Sequence, residues 1–225
     1  MTEIADRKTK KILIVEDHPL FRAMLRQLVE SELEMTVCGE TDNIGNAMTI
    51  IEQTSPDLAI VDITLQGASG RELIKNLKAL GISLPVLILS MHEEKLYAER
   101  VIRAGGRGYI SKQEAPAEVV KAIRNVLAGG IYVSERVSSG IVGRLAHHPD
   151  AAGPEGVEAL SDREIEVFLL IGQGLNSREI SNRIHLGQST VDTYRQRIKE
   201  KLGLKHAAEL YQRAVQWVAE RGMKT

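Results

Sequence analysis

The stretch Pro56-Asp-Leu-Ala-Ile-Val-Asp62-Ile-Thr-Leu-Gln-Gly-Ala-Ser-Gly70 carries a short apolar run into a single carboxylate and then a glycine-containing loop. The run Leu58 to Val61 predicts a strand that is buried on both faces, as strands of parallel sheets are. Asp62 then stands at the C-terminal end of this strand. Ligands of open α/β sheets bind beyond such strand ends, which favours a chemical role for Asp62. A helix-capping or loop aspartate stays an open alternative for this stretch alone.

Outward from this stretch, residues 10–128 alternate short apolar runs with helical segments. The predicted strands are Lys11–Val15, Met35–Cys38, Leu58–Val61, Pro85–Leu89 and Gly108–Ile110. The predicted helices are Pro19–Ser31, Ile44–Gln53, Ser69–Ala79, Glu93–Ala104 and Pro116–Ala128. Crossovers of helical length call for parallel strands, so the pattern predicts a doubly wound, flavodoxin-like α/β domain with a five-stranded parallel sheet.

The C-terminal part of the chain has a different pattern. We predict a first domain over residues 1–130 and a linker over 131–158 that includes a short helix between Ser134 and Leu145. A small all-α domain follows over 159–225. Its predicted helices are one opened by the capping box Ser161-Asp-Arg-Glu164 and running to Gly172, then Asn176–Ile184, Ser189–Leu202 and His206–Arg221.

Composition narrows the class of protein. The 225 residues include 29 basic and 30 acidic side chains, so no global field indicates a nucleic-acid or membrane partner. The single cysteine, Cys38, cannot form an intramolecular disulfide, which suits a reducing compartment. No apolar stretch approaches the roughly 20 residues of a membrane span. We therefore expect a cytoplasmic protein without a membrane partner.

Polar residues follow four predicted strands at the same edge of the sheet. Glu16 and Asp17 follow the first strand, Asp62 the third, Ser90 the fourth and Lys112 the fifth. Crowded carboxylates repel each other, and a divalent cation with oxygen ligands and water relieves that cost, which favours Mg²⁺. Such a site would let Asp62 attack a phosphoryl group while Lys112 neutralises charge on its oxygens. Taken singly, each residue also fits a cap, a strand-end hydroxyl or a solvated surface lysine.

These motifs resemble the receiver domains of bacterial two-component response regulators, over about Lys10 to Ala128. The resemblance lies in Ile-Leu-Ile-Val-Glu-Asp-His-Pro19, in Asp62 with Gly70 eight residues later, in Val-Leu-Ile-Leu-Ser90 and in Gly-Tyr-Ile-Ser-Lys112. It implies that Asp62 takes a phosphoryl group from the phosphohistidine of a cognate histidine kinase. The implied ligands of Mg²⁺ are Glu16, Asp17, Asp62 and the Thr64 carbonyl, and the implied switch residues are Ser90 and Tyr109.

Two positions depart from the receiver pattern. Leu65-Gln66 replaces the usual Met-Pro, and Gln113 replaces the usual proline after the lysine. Both departures lie in loops beside the site. They therefore bear on the rate and lifetime of phosphorylation more than on its position.

The second and third helices of the C-terminal domain predict a helix-turn-helix, because a tight connection at Gly187 leads into a helix with a basic, polar face. A three-helix bundle with a solvated charged face is the alternative from periodicity alone. The motifs Leu-Ser-Asp-Arg-Glu-Ile-Glu-Val, Gly-Leu-Asn-Ser-Arg-Glu-Ile-Ser and Ser-Thr-Val-Asp-Thr-Tyr resemble LuxR/NarL-type DNA-binding domains over about Ala159 to Val218.

The resemblance implies that residues just after Thr-Val on the third helix reach base edges, here Asp192, Thr193 and Gln196. Many relatives carry Lys and His at the positions of Asp192 and Tyr194, so we expect Asp192 to tune sequence choice. The candidate phosphate contacts are Asn176, Ser177, Arg178, Ser189, Arg195 and Lys199. The fourth helix resembles a dimerisation element, with its predicted face formed by Leu210, Tyr211, Ala214, Val215 and Val218.

The sequence thus predicts a transcriptional regulator whose receiver is phosphorylated at Asp62 and thereby controls dimerisation and promoter binding. Its expected partners are a histidine kinase, double-stranded promoter DNA, a second copy of the chain and RNA polymerase. A regulator whose receiver dimerises independently of phosphorylation is one alternative. A phosphatase or phosphotransferase with Asp62 as turnover nucleophile is another, but such hydrolases commonly need a second acid where Thr64 stands. We therefore predict that the chain is not an enzyme.

Overall fold

The computed structural model describes residues 9–65, 68–91, 94–135, 137–138 and 156–220. The chain forms two compact units, Met1–Pro149 and Asp150–Thr225. No helix within the described ranges is long and apolar enough to cross a membrane. Most of the predicted linker, most of the short helix predicted within it, and Gln66 lie outside the described residues.

The first unit is an α/β sandwich around a five-stranded parallel sheet. Its strands are β1 Lys10–Val15, β2 Met35–Thr41, β3 Leu58–Asp62, β4 Thr64–Leu65, β5 Ala68–Ser69, β6 Val86–Ser90 and β7 Gly108–Ser111. Its helices are α1 Pro19–Glu30, α2 Ile44–Thr54, α3 Gly70–Ala79, α4 Glu94–Ala104 and α5 Pro116–Leu127. The main sheet has the order β2-β1-β3-β6-β7, which confirms the predicted doubly wound, flavodoxin-like fold.

Side-chain burial explains why the central strands form. All five residues of β3 and all five of β6 are buried, as expected for parallel strands covered by helices on both faces. Helices α1 and α5 lie over one face, where Leu25, Val29, Ile123 and other apolar side chains form a continuous core with the strands. Because these strands pair in parallel, the C-terminal ends of β1, β3, β6 and β7 lie at the same edge of the sheet.

Two features differ from the sequence prediction. The loop after β3 contains an antiparallel pair, in which Thr64 pairs with Ser69 and Leu65 with Ala68. This pairing forms because Leu65 is fully buried and draws the loop back onto the domain. In addition, Tyr132, which lies in the predicted linker, pairs with Gly108 at the edge of β7, and its hydroxyl donates to Glu118 at 2.7 Å.

The second unit is helical throughout its described part. A short 3₁₀ turn, Gly156–Ala159, precedes α6 Asp162–Gly172, α7 Ser177–Arg183, α8 Gln188–Leu202 and α9 Ala207–Glu220. The predicted capping box at Ser161 and Glu164 is confirmed. A second capping box, formed by Asn176 and Glu179, opens α7.

Three helix contacts hold this unit together. Val191 and Ile198 of α8 are fully buried. Phe168 of α6 and Trp217 of α9 pack edge to face, with ring centroids 5.6 Å apart. Burial would raise the pKa of Glu164, but hydrogen bonds from Lys201 and Ser161 hold it below its ordinary value, so an ionised Glu164 ties the start of α6 to the end of α8.

Candidate functional site

The described structure brings the predicted strand-end residues of the first unit together. Asp62 is the last residue of β3 and is 3% exposed, and Glu16, directly after β1, is fully buried. Lys112 follows β7, and its backbone N–H donates to the carbonyl of Ser90 at 2.8 Å. The sheet register therefore places two buried acids and one lysine at the same edge.

Lys112 bridges the two buried acids. Its Nζ lies 2.7 Å from Oδ2 of Asp62 and 2.7 Å from Oε2 of Glu16, and its side chain is 4% exposed. The ammonium also lies over the ring of Phe21, 4.6 Å from the centroid, which is a cation–π distance. Phe21 was not among the predicted site residues, because an aromatic residue on α1 carries no signal of its role until the helix is packed.

Asp62 has a perturbed acidity. Burial raises the pKa of Asp62 from 3.8 to about 6; Lys112 opposes this, and the charge of Glu16 adds to it. The backbone N–H of Thr64 donates to Oδ1 of Asp62 at 3.2 Å and favours the charged form. Near neutral pH Asp62 is therefore mostly a carboxylate, with a low cost of protonation.

The acids form a cluster that suits a hard cation. Glu16, Asp17, His18 and Asp62 each place one donor atom within 4.8 Å of those of the others. Oδ1 of Asp17 is buried and accepts no hydrogen bond of good geometry among the described residues, although Nδ1 of His18 lies 2.9 Å away. Three carboxylates with buried oxygens match the oxygen ligands that Mg²⁺ prefers. Sequence reasoning missed His18, although it directly follows the two predicted acids.

Close packing at Gly70 positions Asp62. A Cβ at Gly70 would collide with the backbone carbonyl of Asp62 and would lie 2.9 Å from Cγ1 of Val61. The Gly70 N–H also donates to the carbonyl of Ile63 at 2.9 Å. The glycine eight residues after Asp62 thus lets α3 begin directly against the strand end. Its role can be recognised only once the strand and helix are packed.

The two predicted switch residues lie inside the same unit. Ser90 ends β6 and is fully buried, and its partner across the sheet is Ser111. Tyr109 is also fully buried, and it lies opposite Ile88 of the neighbouring strand β6. The tyrosine side chain therefore lies inside the domain. Whether these two residues transmit a signal stays a prediction.

In the second unit, helix α8 presents a polar groove to solvent. The groove is lined by Ser189, Asp192, Thr193, Gln196, Arg197 and Glu200. Four of these six residues were predicted to contact DNA. Arg197 and Glu200 were not among the predicted contacts. They lie four residues after Thr193 and eleven residues after Ser189, on the same stripe of the helix.

The remaining predicted DNA contacts lie beside this groove. Arg195 and Lys199 are half-buried on the flank of α8. The side chain of Asn176 accepts hydrogen bonds from the N–H groups of Arg178 and Glu179, so it caps α7. The hydroxyl of Ser177 donates to Oδ1 of Asp192 at 2.7 Å. Two of the predicted phosphate contacts, Asn176 and Ser177, thus already use their side chains within the domain.

The predicted dimerisation face of α9 needs correction. Leu210 and Ala214 are fully buried and Val218 is 8% exposed, whereas Tyr211 is 50% and Val215 37% exposed. The three buried residues are four positions apart, so they lie with Trp217 on one stripe of the helix, and this stripe packs inside the second unit. Tyr211 and Val215, one turn apart, are the part of the predicted face that reaches solvent.

The geometry defines an α/β domain with an acidic, lysine-bridged site, and a helix-turn-helix domain with a polar groove on α8. Residues 12–124 match the response regulator receiver domain, and residues 158–214 match the luxR family of bacterial regulatory proteins. The chain belongs to the two-component response regulators that carry a LuxR-type DNA-binding domain.

Similar proteins support this assignment along most of the chain. The transcription regulator BvgA of Bordetella pertussis is 34% identical over 201 residues, which cover 89% of this chain and 94% of BvgA. The response regulator UvrY of Escherichia coli is 30% identical over 204 residues, 91% of this chain and 93% of UvrY.

Solved structures agree with the fold. The crystal structure of a LuxR-family two-component response regulator from Aurantimonas is 32% identical, covers 62% of this chain and 99% of its own, and superposes with a TM-score of 0.57. RcsB from Salmonella, bound to promoter DNA in the presence of the phosphomimetic BeF₃⁻, is 22% identical and covers 91% of this chain and 98% of its own, with a TM-score of 0.56. The latter likeness concerns the fold alone.

Proposed function

We propose that this response regulator is controlled by phosphorylation, with Asp62 accepting the phosphoryl group of a histidine kinase. The observation that carries the proposal is the placement of Asp62 at the strand end, with its Oδ2 2.7 Å from Nζ of Lys112 and Glu16 on the other side of the ammonium. An acid held in this way is a nucleophile with a cation already in position for the incoming charge.

The transfer follows from this geometry. An oxygen of Asp62 forms a bond to phosphorus while the bond between phosphorus and the histidine nitrogen of the kinase breaks, and the imidazole leaves with its electron pair. Lys112 stays beside the new phosphoryl group and offsets its charge. Ser90 lies at the neighbouring strand end, where its hydroxyl would bind a phosphoryl oxygen. Its burial excludes competing water from that contact.

Mg²⁺ is the proposed cofactor, held by Glu16, Asp17, Asp62 and the carbonyl of Thr64. When bound, it neutralises charge on the phosphoryl oxygens. The fit rests on the buried carboxylate oxygens of the cluster described above. His18, with Nδ1 2.9 Å from Oδ1 of Asp17 and 3.0 Å from Oε1 of Glu16, holds these acids in place from the solvent side.

The proposed output is promoter binding by a dimer. Phosphorylation adds about 1.5 to 2 negative charges at the sheet edge. Ser90 and Tyr109 would couple this charge to the conformation of the receiver. Helix α8 would enter the major groove of DNA, with its polar groove facing the bases. The exposed residues Tyr211 and Val215 would contact a second copy of the chain. A cytoplasmic location and contact with RNA polymerase accompany this function as predictions.

Phosphorylation with acetyl phosphate and Mg²⁺, followed by intact-protein mass spectrometry, tests the site. We expect one phosphoryl group on the wild type and none on Asp62→Asn. Asp57→Asn is the matched control, because Asp57 lies just before the same strand and pairs with Lys10 at its opposite end. Phosphorylation of Asp62→Asn to the wild-type extent would overturn the assignment.

DNA binding by the same proteins tests whether phosphorylation controls promoter binding. At fixed salt we expect phosphorylation to tighten promoter binding about 5- to 150-fold, the usual range of allosteric coupling. Asp62→Ala should stay at the unphosphorylated level. If this variant binds as tightly as phosphorylated wild type, the receiver acts independently of phosphorylation, and the alternative regulator is the better description.

A further inference from the structure

Two polar side chains of the α8 groove already donate hydrogen bonds to acceptors within the domain. The hydroxyl of Thr193 donates to the carbonyl of Ser189 at 2.9 Å. One amide hydrogen of Gln196 goes to Oε1 of Glu200 at 2.8 Å. Asp192 has no donor when ionised and accepts one from Ser177. These three side chains therefore present mainly acceptor oxygens to a ligand in the groove.

Asp192 is held more firmly than an ordinary surface acid. Ser177 is the first residue of α7, and the hydrogen bond from its hydroxyl to Oδ1 of Asp192, 2.7 Å long, joins that helix to α8. Oδ2 of Asp192 forms no hydrogen bond or ion pair within the described part of the chain. One carboxylate oxygen is thus fixed and the other is left for a ligand. This arrangement orients an acceptor before binding and lowers the ordering cost.

The bases differ in what they offer such an acceptor. In the major groove, cytosine presents the N4 amino group and adenine the N6 amino group, whereas guanine and thymine present acceptor oxygens. Adenine also carries the acceptor N7 next to N6, which repels a carboxylate. Cytosine has no acceptor beside N4. A fixed carboxylate therefore selects cytosine and rejects guanine, the base that a lysine or arginine at the same position would prefer.

We propose that Asp192, oriented by Ser177, binds the N4 amino group of one cytosine in each half-site. This inference rests on the proposed function, because it requires α8 to be the helix that reads DNA. Asp192 then determines sequence choice, and Ser177 is a positioning residue that acts through it. Arg197, which lines the same groove, keeps a positive charge close to the phosphates despite the two acids.

Selection from a random duplex library tests the proposal. The full chain is incubated with the library with and without acetyl phosphate and Mg²⁺, and the bound duplexes are sequenced. The wild type should select a half-site with one fixed cytosine. Asp192→Asn should lose the preference at that position only, and Asp192→Lys should change it to guanine. Glu220→Gln removes the same charge from an exposed site on α9 and should select the wild-type sequence.

A modified base provides the sharper measurement. N4-methylcytosine keeps the Watson–Crick pair but replaces the amino hydrogen that faces the major groove. Wild type should bind this duplex roughly tenfold more weakly than the unmodified one, the value of one good base contact. Asp192→Ala should bind both duplexes equally. Ser177→Ala should reduce the wild-type ratio, and Ser177→Thr, which restores a hydroxyl, should recover it.

The outcomes separate this proposal from the function on which it rests. A selected sequence that stays the same in Asp192→Asn, or an equal loss with N4-methylcytosine in wild type and Asp192→Ala, would overturn the cytosine contact while leaving DNA binding intact. Failure of the wild type to select any sequence under either condition would overturn both.

Discussion

The acid site of the receiver and the α8 groove each hold one aspartate by a short hydrogen bond, but in opposite surroundings. At the sheet edge, Lys112 and Asp62 are 4% and 3% exposed and lie 2.7 Å apart. In the groove, Asp192 is also 2.7 Å from its partner, the half-buried Ser177, but Asp192 itself is exposed. The distances match, and the surroundings decide what each contact does.

Burial makes the charges of the first site reactive. Burial disfavours the charged form of a carboxyl group, which is why the pKa of Asp62 rises to about 6 although a lysine touches it. Water screens the exposed groove, so its hydrogen bonds contribute little free energy and mainly orient side chains. The proposed covalent step needs the first kind of surroundings and the proposed recognition the second, and the following substitutions test that contrast.

The largest effect should follow the loss of the buried ammonium. Lys112→Met leaves Glu16 and Asp62 facing each other without a cation, and breaking a buried pair in this way costs about 3 to 5 kcal/mol. Urea unfolding of the receiver at neutral pH measures the loss. Lys121→Met is the control, because Lys121 is 67% exposed and its pair with Glu118, at 3.2 Å, should contribute less than about 1 kcal/mol. Equal losses in the two variants would contradict the contrast.

Protonation of Asp62 should change stability with a defined sign. Its folded-state pKa of about 6 lies above the ordinary 3.8, so between these values the folded chain binds more protons than the unfolded chain. The free energy of unfolding should therefore fall as the pH rises from about 4 to about 6, by at most about 3 kcal/mol. Asp62→Asn cannot titrate and should lack this decrease. Unfolding is measured in a chelating buffer at each pH.

Asp62→Asn should consequently be more stable than wild type at pH 7, with the difference vanishing below about pH 4. Asp57→Asn controls for the loss of an aspartate, because the half-buried Asp57 lies just before the same strand, at the end opposite Asp62. Parallel pH curves for wild type and Asp62→Asn would show that burial does not penalise this carboxylate.

An added methyl group should disturb the second unit through packing alone. A Cβ at Gly172 would lie 2.5 Å from Cγ2 of Val218 and 2.6 Å from the carbonyl of Ala214, so Gly172→Ala should force α9 away from α6 and cost about 1 to 3 kcal/mol. Gly187→Ala is the matched control, since its nearest contact would be Oγ1 of Thr190 at 3.7 Å. Thermal unfolding of both variants checks the difference. Similar melting temperatures would mean that α9 moves freely.

The sequence predicted what periodicity determines. Alternating apolar runs and helices predicted the sheet, because a parallel strand must be buried and its crossover must be a helix. The strand-end acids followed from that topology, since every parallel strand brings its C-terminal end to the same edge. Asp62, Glu16 and Lys112 therefore came together as expected from pattern alone.

Features that depend on packing between elements were not predictable in the same way. Periodicity identified an apolar stripe on α9 but not which side packs inward, so buried Leu210 and exposed Tyr211 were assigned to one face. The pairing of Tyr132 with β7 depends on the space left by Gly108, where a Cβ would lie 3.0 Å from the carbonyl oxygen of Tyr132. The hydrogen bond from Ser177 to Asp192 joins residues 15 positions apart on different helices. Such contacts exist only after the helices have docked.

The smallest effect on stability, and a specific effect on assembly, should come from the exposed side of α9. Tyr211 is 50% exposed, so Tyr211→Ala should change the free energy of unfolding by less than about 0.5 kcal/mol, whereas Leu210→Ala, at a fully buried position, should cost about 2 to 5 kcal/mol.

If Tyr211 contacts a second copy, its loss should weaken binding to duplexes with two half-sites by about fivefold or more, the effect of removing an interface tyrosine. Binding to a single half-site should not change. Gln212→Ala, at an exposed position beside it, should leave both affinities at the wild-type level. Equal binding of Tyr211→Ala and wild type to paired half-sites would remove Tyr211 from the dimer interface, because its burial in the free domain is too small for it to act through folding.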